Sequence, residues 1–574
     1  MYIKSLYPQP APIEDLNFHH SLFGRPDQKD WPDYTLFIDA SNGHRRTHRE
    51  FVTDIYDGAT ALGASFETGC LGLRGDDGEM VGIMSDNSME YVSLIHSLIM
   101  ITTPFALISS YSTPFELKHS LKLSGATCLF VQAKYLPLAL AASKEAGISN
   151  RRIFVLGGRA SGRTSFTELK EHVRNEHIPR ISVRPAHRDT LAYLVFSSGT
   201  SGLPKAVMIS HGNLQYSISQ AIVVATGIKA VFTPPPPPTP EGLPIFLAFL
   251  PFHHTYGLHA FSFRPFLTPV TVVILPRWNL DLAFTAISKY RITHLPLIPS
   301  VIYQIVNSPK AQKADWSSVI SINSGAAYLP PDLSEKVPKL LKKEIHVFEG
   351  YGMSECTIAA IGQPFPGTLD GKARTIIGST GLLLPGLEAR TVREDGTEAD
   401  ANEPGELWLR GGNIALGYWN NDSATKSTFI DGWLHTGDSF RITEDHYFFF
   451  ADRAKDTLKV SGSQVSPLEI ENVLLEHPDK LLVDATVAGV SGGRTSDEKV
   501  PRAWVVLSDA GKKLGPQGVI RALEVWHEAN LSKYKWLRGG IEIVNNIPKN
   551  PTGKVLRRVL QEKYENKLKK KAKL

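Results

Sequence analysis

The sequence predicts an α/β fold, with a large N-terminal domain of layered α/β subdomains, a β-rich subdomain after it, and a small α+β domain at the C-terminal end. Three observations carry this. Short apolar runs rich in β-branched residues alternate with amphipathic stretches of helical period, which is the pattern of parallel strands covered by helices. Past about residue 380 the strands become shorter and glycine-rich. At Asp452 to Lys459 (DRAKDTLK) a charged segment separates apolar runs and marks a boundary, giving domains 1–451 and 452–574.

In chain order, Tyr91 to Phe115 contains no Asp, Glu, Lys or Arg. Pro104 and a scatter of Ser, Thr and His make it too polar and too interrupted for a membrane span. It reads as a buried helix over Met89 to Met100 and a buried strand over Phe105 to Ile108. Pro114 to Ser124 and Leu282 to Tyr290 read as amphipathic helices. Buried strands are expected at Cys128 to Gln132, Ile153 to Leu156, Leu191 to Phe196, Val270 to Leu275 and Val319 to Asn323. Thr233 to Pro240 (TPPPPPTP) cannot join a central strand and reads as an exposed polyproline-type insertion. No repeat of solenoid or propeller period occurs.

Charge narrows the function classes. The 574 residues sum to +5, but Pro551 to Leu574 holds nine Lys or Arg against two Glu, +7 by itself, which leaves −2 for the other 550 residues. A broad basic face for nucleic acid is therefore not expected. Cys70, Cys128 and Cys356 lie far apart, which fits a reducing compartment without a disulfide framework or a cysteine-based zinc site. Met1 to Asp15 is punctuated by Pro8, Pro10 and Pro12 and has no continuous apolar core, so a secretory signal is not expected.

The strand LAYLVF runs into Ser197-Ser198-Gly199-Thr200-Ser201-Gly202-Leu203-Pro204-Lys205. Small residues let successive backbone N–H groups point inward, hydroxyls add donors, and Lys205 adds a charge, so the loop suits polyphosphate oxygens. The spacing is not that of GxxxxGK[ST]. Taken alone, a flexible Ser/Gly turn is the other reading. Further segments follow: LPFHHTYG (250–257), SGAA (324–327), EGYGMSE (349–355), GELWLRG (405–411), GWLHTGD (432–438), DRAKDTLKVSGSQVSPLEIE (452–471) and PKNPTGK (548–554). No HExxH-type spacing accompanies the paired His253 and His254, so a zinc site is not supported.

In this order these segments resemble the adenylate-forming superfamily: acyl-CoA synthetases, 4-coumarate:CoA ligases, firefly-type luciferases and peptide-synthetase adenylation domains. The resemblance runs through essentially the whole chain. It implies ATP, Mg²⁺ and coenzyme A as cosubstrates and cofactor, and it implies roles for individual residues. Ser197 to Gly202 and Lys205 would bind the phosphates. Gly325, Ala326, Glu349, Gly350, Tyr351, Gly352 and Ser354 would surround the nucleotide, with Tyr351 on adenine. Asp438 would grip the ribose hydroxyls with help from Arg453. Glu355 and Thr200 would hold Mg²⁺. Lys554 would bridge the acid carboxylate and the α-phosphate, and His254 would stand beside that carboxylate. Tyr256, Ala260 and Gly325 would wall the acyl pocket.

The family's small domain turns about a hinge, here Lys455, which makes the C-terminal domain mobile. Lys459 and Gln464 match its thioester-forming face, and Ser461 and Gly462 fall at the CoA pantetheine tunnel. Two departures stand out: Ala206 replaces a family glycine, and Lys459-Val460-Ser461-Gly462 lacks a second lysine, which removes one candidate contact to CoA phosphate. The implied activity is an ATP-dependent acyl-CoA ligase acting on an aryl, medium-chain or branched acid. The first alternative is a stand-alone adenylation enzyme loading a carrier protein in trans, and a luciferase-type oxygenase comes third. An inactive scaffold is disfavoured by the presence of Lys554, Glu355, Asp438 and Lys205. The stretch after Lys554 leaves no room for a carrier domain. Ala572-Lys573-Leu574 resembles the SKL-type peroxisomal address, so an import receptor is the expected protein partner, with no nucleic acid and no transmembrane segment.

Overall fold

The computed structural model describes residues 1–574 apart from 198–203, 328, 330, 344, 454–457, 461, 462, 466, 493–498, 532, 552, 554 and 572–574; only the backbone is described for 115, 332, 452, 453, 458–460, 463–465, 469, 499, 534 and 569–571. The chain divides into two compact units, one of 2–389 with 408–435, the other of Met1, 390–407 and 436–574.

The larger unit is built on two sheets. In the first, seven strands run in the order 417–418, 205–210, 191–197, 105–108, 81–84, 128–131, 153–155. Val81–Met84, Phe105–Ile108 and Cys128–Val131 are buried along their whole length, as parallel strands covered on both faces must be. The second has nine strands, in the order 382–383, 361–362, 347–351, 321–324, 294–297, 245–248, 271–274, 35–39, 45–47. Its interior pairings are parallel and its edges antiparallel.

Local chemistry sets the helices between them. Ser88 caps Met89–Met100 by accepting from the Tyr91 N–H, and the helix is buried on nearly every side. Pro114–Ser124 starts with proline behind a Thr113/Glu116 capping box and stops at Gly125, whose φ of +67° only glycine adopts cheaply. The α/β expectation holds, and most expected strands fall within a residue or two of their places. The one expected from Val319 begins at Ser321, because the N–H groups of Ile320 and Ser321 both donate to the Thr293 carbonyl and Ile320 faces outward.

Three helices bury charge between them. Lys170, 2% exposed, places its Nζ 2.6 Å from Asp54 and 2.7 Å from Glu90. Arg46 and Arg174 reach the same Asp54 at 3.1 and 2.9 Å. The proline run is exposed and irregular over 233–236; Phe232 before it stacks on Phe365, and Arg291 Nε donates to the Pro238 carbonyl at 2.7 Å. Among the described residues no helix is long and apolar enough to cross a membrane.

In the smaller unit Leu482–Ser491, Lys499–Leu507 and Ile541–Ile543 form a three-stranded sheet, antiparallel then parallel. Ile470, Leu474, Val487, Val505, Val519 and Leu523 form its core with helices Pro467–Leu475 and Pro516–Asn530. This is the compact α+β body expected of the C-terminal end.

Candidate active site

Ser197 ends the strand that enters the Ser/Gly loop and pairs with Lys205, the first residue of the strand that leaves it. The loop itself, with Ser198, Gly199, Thr200, Ser201 and Gly202, lies outside the described residues. Lys205 extends its Nζ over the Tyr418 ring, 4.7 Å from the centroid. The Tyr418 hydroxyl donates to Glu355 Oε1 at 2.8 Å. The three residues thus join a strand next to the loop, an edge strand of the same sheet and the turn after EGYGMS. Burial, reinforced by the Glu355 carboxylate, pushes the Tyr418 phenol above its ordinary range, so the hydroxyl keeps the proton it donates.

Glu355 is 5% exposed and sits in the short turn Ser354–Cys356. That turn is tied down on both sides. Thr255 Oγ1 donates to Ser354 Oγ at 3.2 Å, and the Ala415 N–H donates to the Glu355 carbonyl at 2.9 Å. Thr357 follows at φ +64° and ψ −49°, with the Ile358 N–H donating to the Cys356 carbonyl across it at 2.7 Å. This is a left-handed γ-turn, a strained conformation for a β-branched residue. Thr357 is wholly buried, and its Oγ1 donates to the Asn413 carbonyl at 2.6 Å. Gly352 lets the same loop fold back, since a Cβ there would lie 1.8 Å from the Ile358 carbonyl oxygen.

Gly325 and Gly350 meet the Tyr256 side of the site: a Cβ on Gly325 would stand 3.4 Å from Tyr256 Cε1 and 3.6 Å from the Gly350 carbonyl oxygen. Ala326 takes a φ of +67°, which turns the SGAA backbone sharply past the end of its strand. Tyr351 and Gly350 are partly exposed at the end of the neighbouring strand, beside Glu349, whose carboxyl burial pushes up to about 7.

His254 caps the helical segment that begins at Thr255, its Nδ1 accepting from the Tyr256 N–H at 3.4 Å. Burial holds it down to about 4, so the ring is neutral at physiological pH and can accept or donate without carrying charge. His253 is held down to about 3 by burial and meets the edge of Tyr111. Gly257 allows the tight return, because a Cβ would lie 2.3 Å from the Pro251 carbonyl oxygen. Ala260 lies one turn beyond Tyr256, partly buried.

In the smaller unit Asp438 is 6% exposed and directly opposite Arg453 on an antiparallel pair. Its N–H donates to Thr436 Oγ1 at 3.1 Å, and the Gly437 N–H to Glu406 Oε1 at 3.0 Å. Lys459 and Gln464 pair directly across a two-stranded ribbon. Lys455, Ser461, Gly462 and Lys554 lie outside the described residues. Nearby, the Gly553 N–H donates to the Asn550 carbonyl at 2.9 Å, and Lys549 forms an isolated bridge with Val555. Among the described residues no group of three or more His, Cys, Asp or Glu is placed to hold a metal ion by itself.

A family profile described as AMP-binding enzyme matches residues 25–419, and a second, AMP-binding enzyme C-terminal domain, matches 469–554. The chain belongs to the AMP-binding enzyme family. This AMP-binding enzyme is 32% identical to Acyl-CoA synthetase 7 of Caenorhabditis elegans over 79% of its own length and 80% of the relative's. It is 30% identical to Probable 4-coumarate--CoA ligase 1 of Dictyostelium discoideum over 98% and 97%, and 30% identical to Peroxisomal OPC-8:0-CoA ligase 1 of Arabidopsis thaliana over 91% and 89%. Its fold matches the anthranilate CoA ligase AuaEII in complex with anthranoyl-AMP at a TM-score of 0.78, with 24% identity over 98% and 99% of the two chains. It is an AMP-forming acid–CoA ligase.

Two residues of this AMP-binding enzyme's site escaped the sequence reading. Tyr418 lies in the short run GYW, which carries no chemistry by composition. Asn413, whose Nδ2 donates to the Cys356 and Ala359 carbonyls at 3.0 and 3.1 Å, had no signal beyond its place after GELWLRG.

Proposed function

We propose that this enzyme couples an aryl, medium-chain or branched carboxylic acid to ATP as an acyl adenylate with release of pyrophosphate, and then passes the acyl group to the CoA thiol with release of AMP. The observation that carries this reading is the run from Lys205 through Tyr418 to Glu355, which draws a phosphate-loop cation and a buried carboxylate to one place. Lys205 counters polyphosphate charge there, and the Gly325–Ala326 backbone and Tyr351 bound the nucleotide base. Glu355, with Thr200, is suited to Mg²⁺: Tyr418 occupies one carboxylate oxygen, and Mg²⁺ asks for only one or two carboxylate oxygens beside substrate phosphates and water. When bound, the ion would neutralise phosphate charge.

In the same reading Asp438 and Arg453 hold the ribose, and neutral His254 orients the acid carboxylate without an opposing charge. Lys554 reaches the carboxylate and α-phosphate in the first half-reaction. A turn of the domain beginning near 452 about Lys455 then presents Lys459, Gln464, Ser461 and Gly462 for the second. Acid-dependent AMP formation with free CoA tests the proposal. AMP that appeared only with a carrier protein would favour loading in trans instead. Ala572-Lys573-Leu574 completes the reading as a peroxisomal address, supported by the peroxisomal relative. A fluorescent reporter fused to the last twelve residues should enter peroxisomes through the import receptor, and diffuse fluorescence would remove the assignment.

A further inference from the structure

The segment that carries His254 continues as Thr255–Leu258, a π turn over His259–Phe263 and a last turn over Arg264–Phe266. Its exposure is periodic. Tyr256, Ala260 and Arg264 keep accessible surface, while every residue between them is buried, several of them completely. Positions four apart share a face of a helix, so one stripe of this segment borders a space and the rest is packed. Tyr256 and Ala260 are two of the three proposed walls of the acyl pocket, and Tyr256 borders the third, Gly325. Arg264 lies next along that stripe.

Among the described residues Arg264 is a cation without a counter-ion. Its Nε is buried with no hydrogen-bond partner, and among the described residues it forms no ion pair. Other half-buried arginines here are treated differently. Arg184 gives its guanidinium to the carbonyls of Leu73, Ile101 and Gly63, and Arg46 pairs with Asp54 and Glu90. Polar atoms elsewhere on this segment and next to Gly325 also lack partners among the described residues. His259 Nδ1 and Ser262 Oγ, on the same segment, and Ser324 Oγ, next to Gly325, are buried without partners. Burial pulls the Arg264 pKa down, and the charge is felt by the Tyr256 phenol and by His259. An arginine nevertheless stays protonated in any protein environment. An unpaired guanidinium that is largely buried is costly unless a ligand neutralises it, and guanidinium geometry fits a carboxylate through two parallel bonds.

We propose that Arg264 reads a second acidic group, so that the preferred substrate of this ligase is a carboxylic acid bearing another carboxylate at its far end. One carboxylate enters adenylation near His254 while the other meets Arg264. The inference rests on the acid–CoA ligase reading and on Tyr256 and Ala260 lining the acyl pocket.

Matched pairs of acids test it on the full-length enzyme with ATP, Mg²⁺ and CoA, followed by pyrophosphate release and thioester formation: hexanoate and adipate, octanoate and suberate, decanoate and sebacate, cinnamate and 4-carboxycinnamate. The wild type should favour at least one diacid over its partner by tenfold or more in kcat/KM. Arg264→Met should reverse that preference, chiefly through KM for the diacid, and Arg264→Lys should restore part of it. ATP binding measured by calorimetry should be unchanged in both variants. Should Arg264→Met fail to fold, the wild-type ratios together with Arg264→Gln decide. Monoacids turned over as well as every diacid, or a preference untouched by the substitutions, would overturn the inference and leave the ligase reading standing. Absence of AMP formation with every acid would overturn that reading and this inference with it.

Discussion

The hydroxyl of Tyr418 holds one oxygen of the Glu355 carboxylate at 2.8 Å, and the opposite demand on the same ring comes from Lys205, 4.7 Å from its centre. The tyrosine therefore fixes the direction of a buried acid and the resting place of a cation at once. Tyr418→Phe keeps the ring and removes the hydroxyl. The adenylation kcat/KM should fall about tenfold, the usual cost of removing a hydrogen bond that orients a metal-holding carboxylate, and the Mg²⁺ concentration for half-maximal pyrophosphate release should rise. An unchanged Mg²⁺ dependence would show that Glu355 needs no such support.

Lys554→Ala should abolish adenylation and largely spare thioester formation from a preformed adenylate, whereas changing Lys459 or Gln464 should do the reverse. Single-turnover assays of each half-reaction separate the two. Equal loss of both in the Lys554 variant would remove the two-position assignment.

Stability should depend on mild acid. Burial holds His19 and His253 down to about 3 and His96, His211, His254 and His294 down to about 4. Each lies below the 6.5 of an unfolded histidine, so between those values the unfolded chain binds more protons. The stabilisation is complete above about 6.5 and is lost as the pH falls toward 4. The melting temperature should drop steadily from pH 7 to pH 5. A flat profile would mean that these rings do not stay neutral in the fold.

Lys170→Met should be severe. It leaves the buried Asp54 and the half-buried Glu90 without the ammonium that faces both, at 2.6 and 2.7 Å. Breaking a buried ion pair from one side costs about 3–5 kcal/mol. Urea unfolding should register a loss of that order, and a loss under about 1 kcal/mol would show that Arg46 and Arg174 suffice to hold the carboxylates.

Much of the larger unit was legible because its strands are buried on both faces. Runs such as FALI and CLFV need no partner to be recognised, and the amphipathic stretch from Pro114 to Ser124 marks its helix in the same way. The motifs in turn marked the two ends of the Lys205–Tyr418–Glu355 run. Its middle was silent, because Tyr418 acts through a contact spanning 63 residues of sequence, and nothing local in GYW encodes it. Arg264 was hidden for a related reason. In LHAFSFRPF it looks like a lone charge in an apolar run, and its lack of an acidic partner among the described residues is visible only in space. The salt-bridged core around Lys170 was likewise unreadable, since four elements that meet there supply its charges.

The γ-turn at Thr357 holds the end of the Glu355 turn in a conformation that costs about 1–3 kcal/mol. Asn413 and the buried Thr357 hydroxyl keep it from relaxing. A glycine at this position would accept the same backbone angles without strain, at the loss of that one hydrogen bond. The site thus carries a trade-off between robustness and aim: one route to a more heat-resistant enzyme passes through the residue that keeps the Glu355 turn in place, and variants selected for stability alone should collect there with blunted turnover.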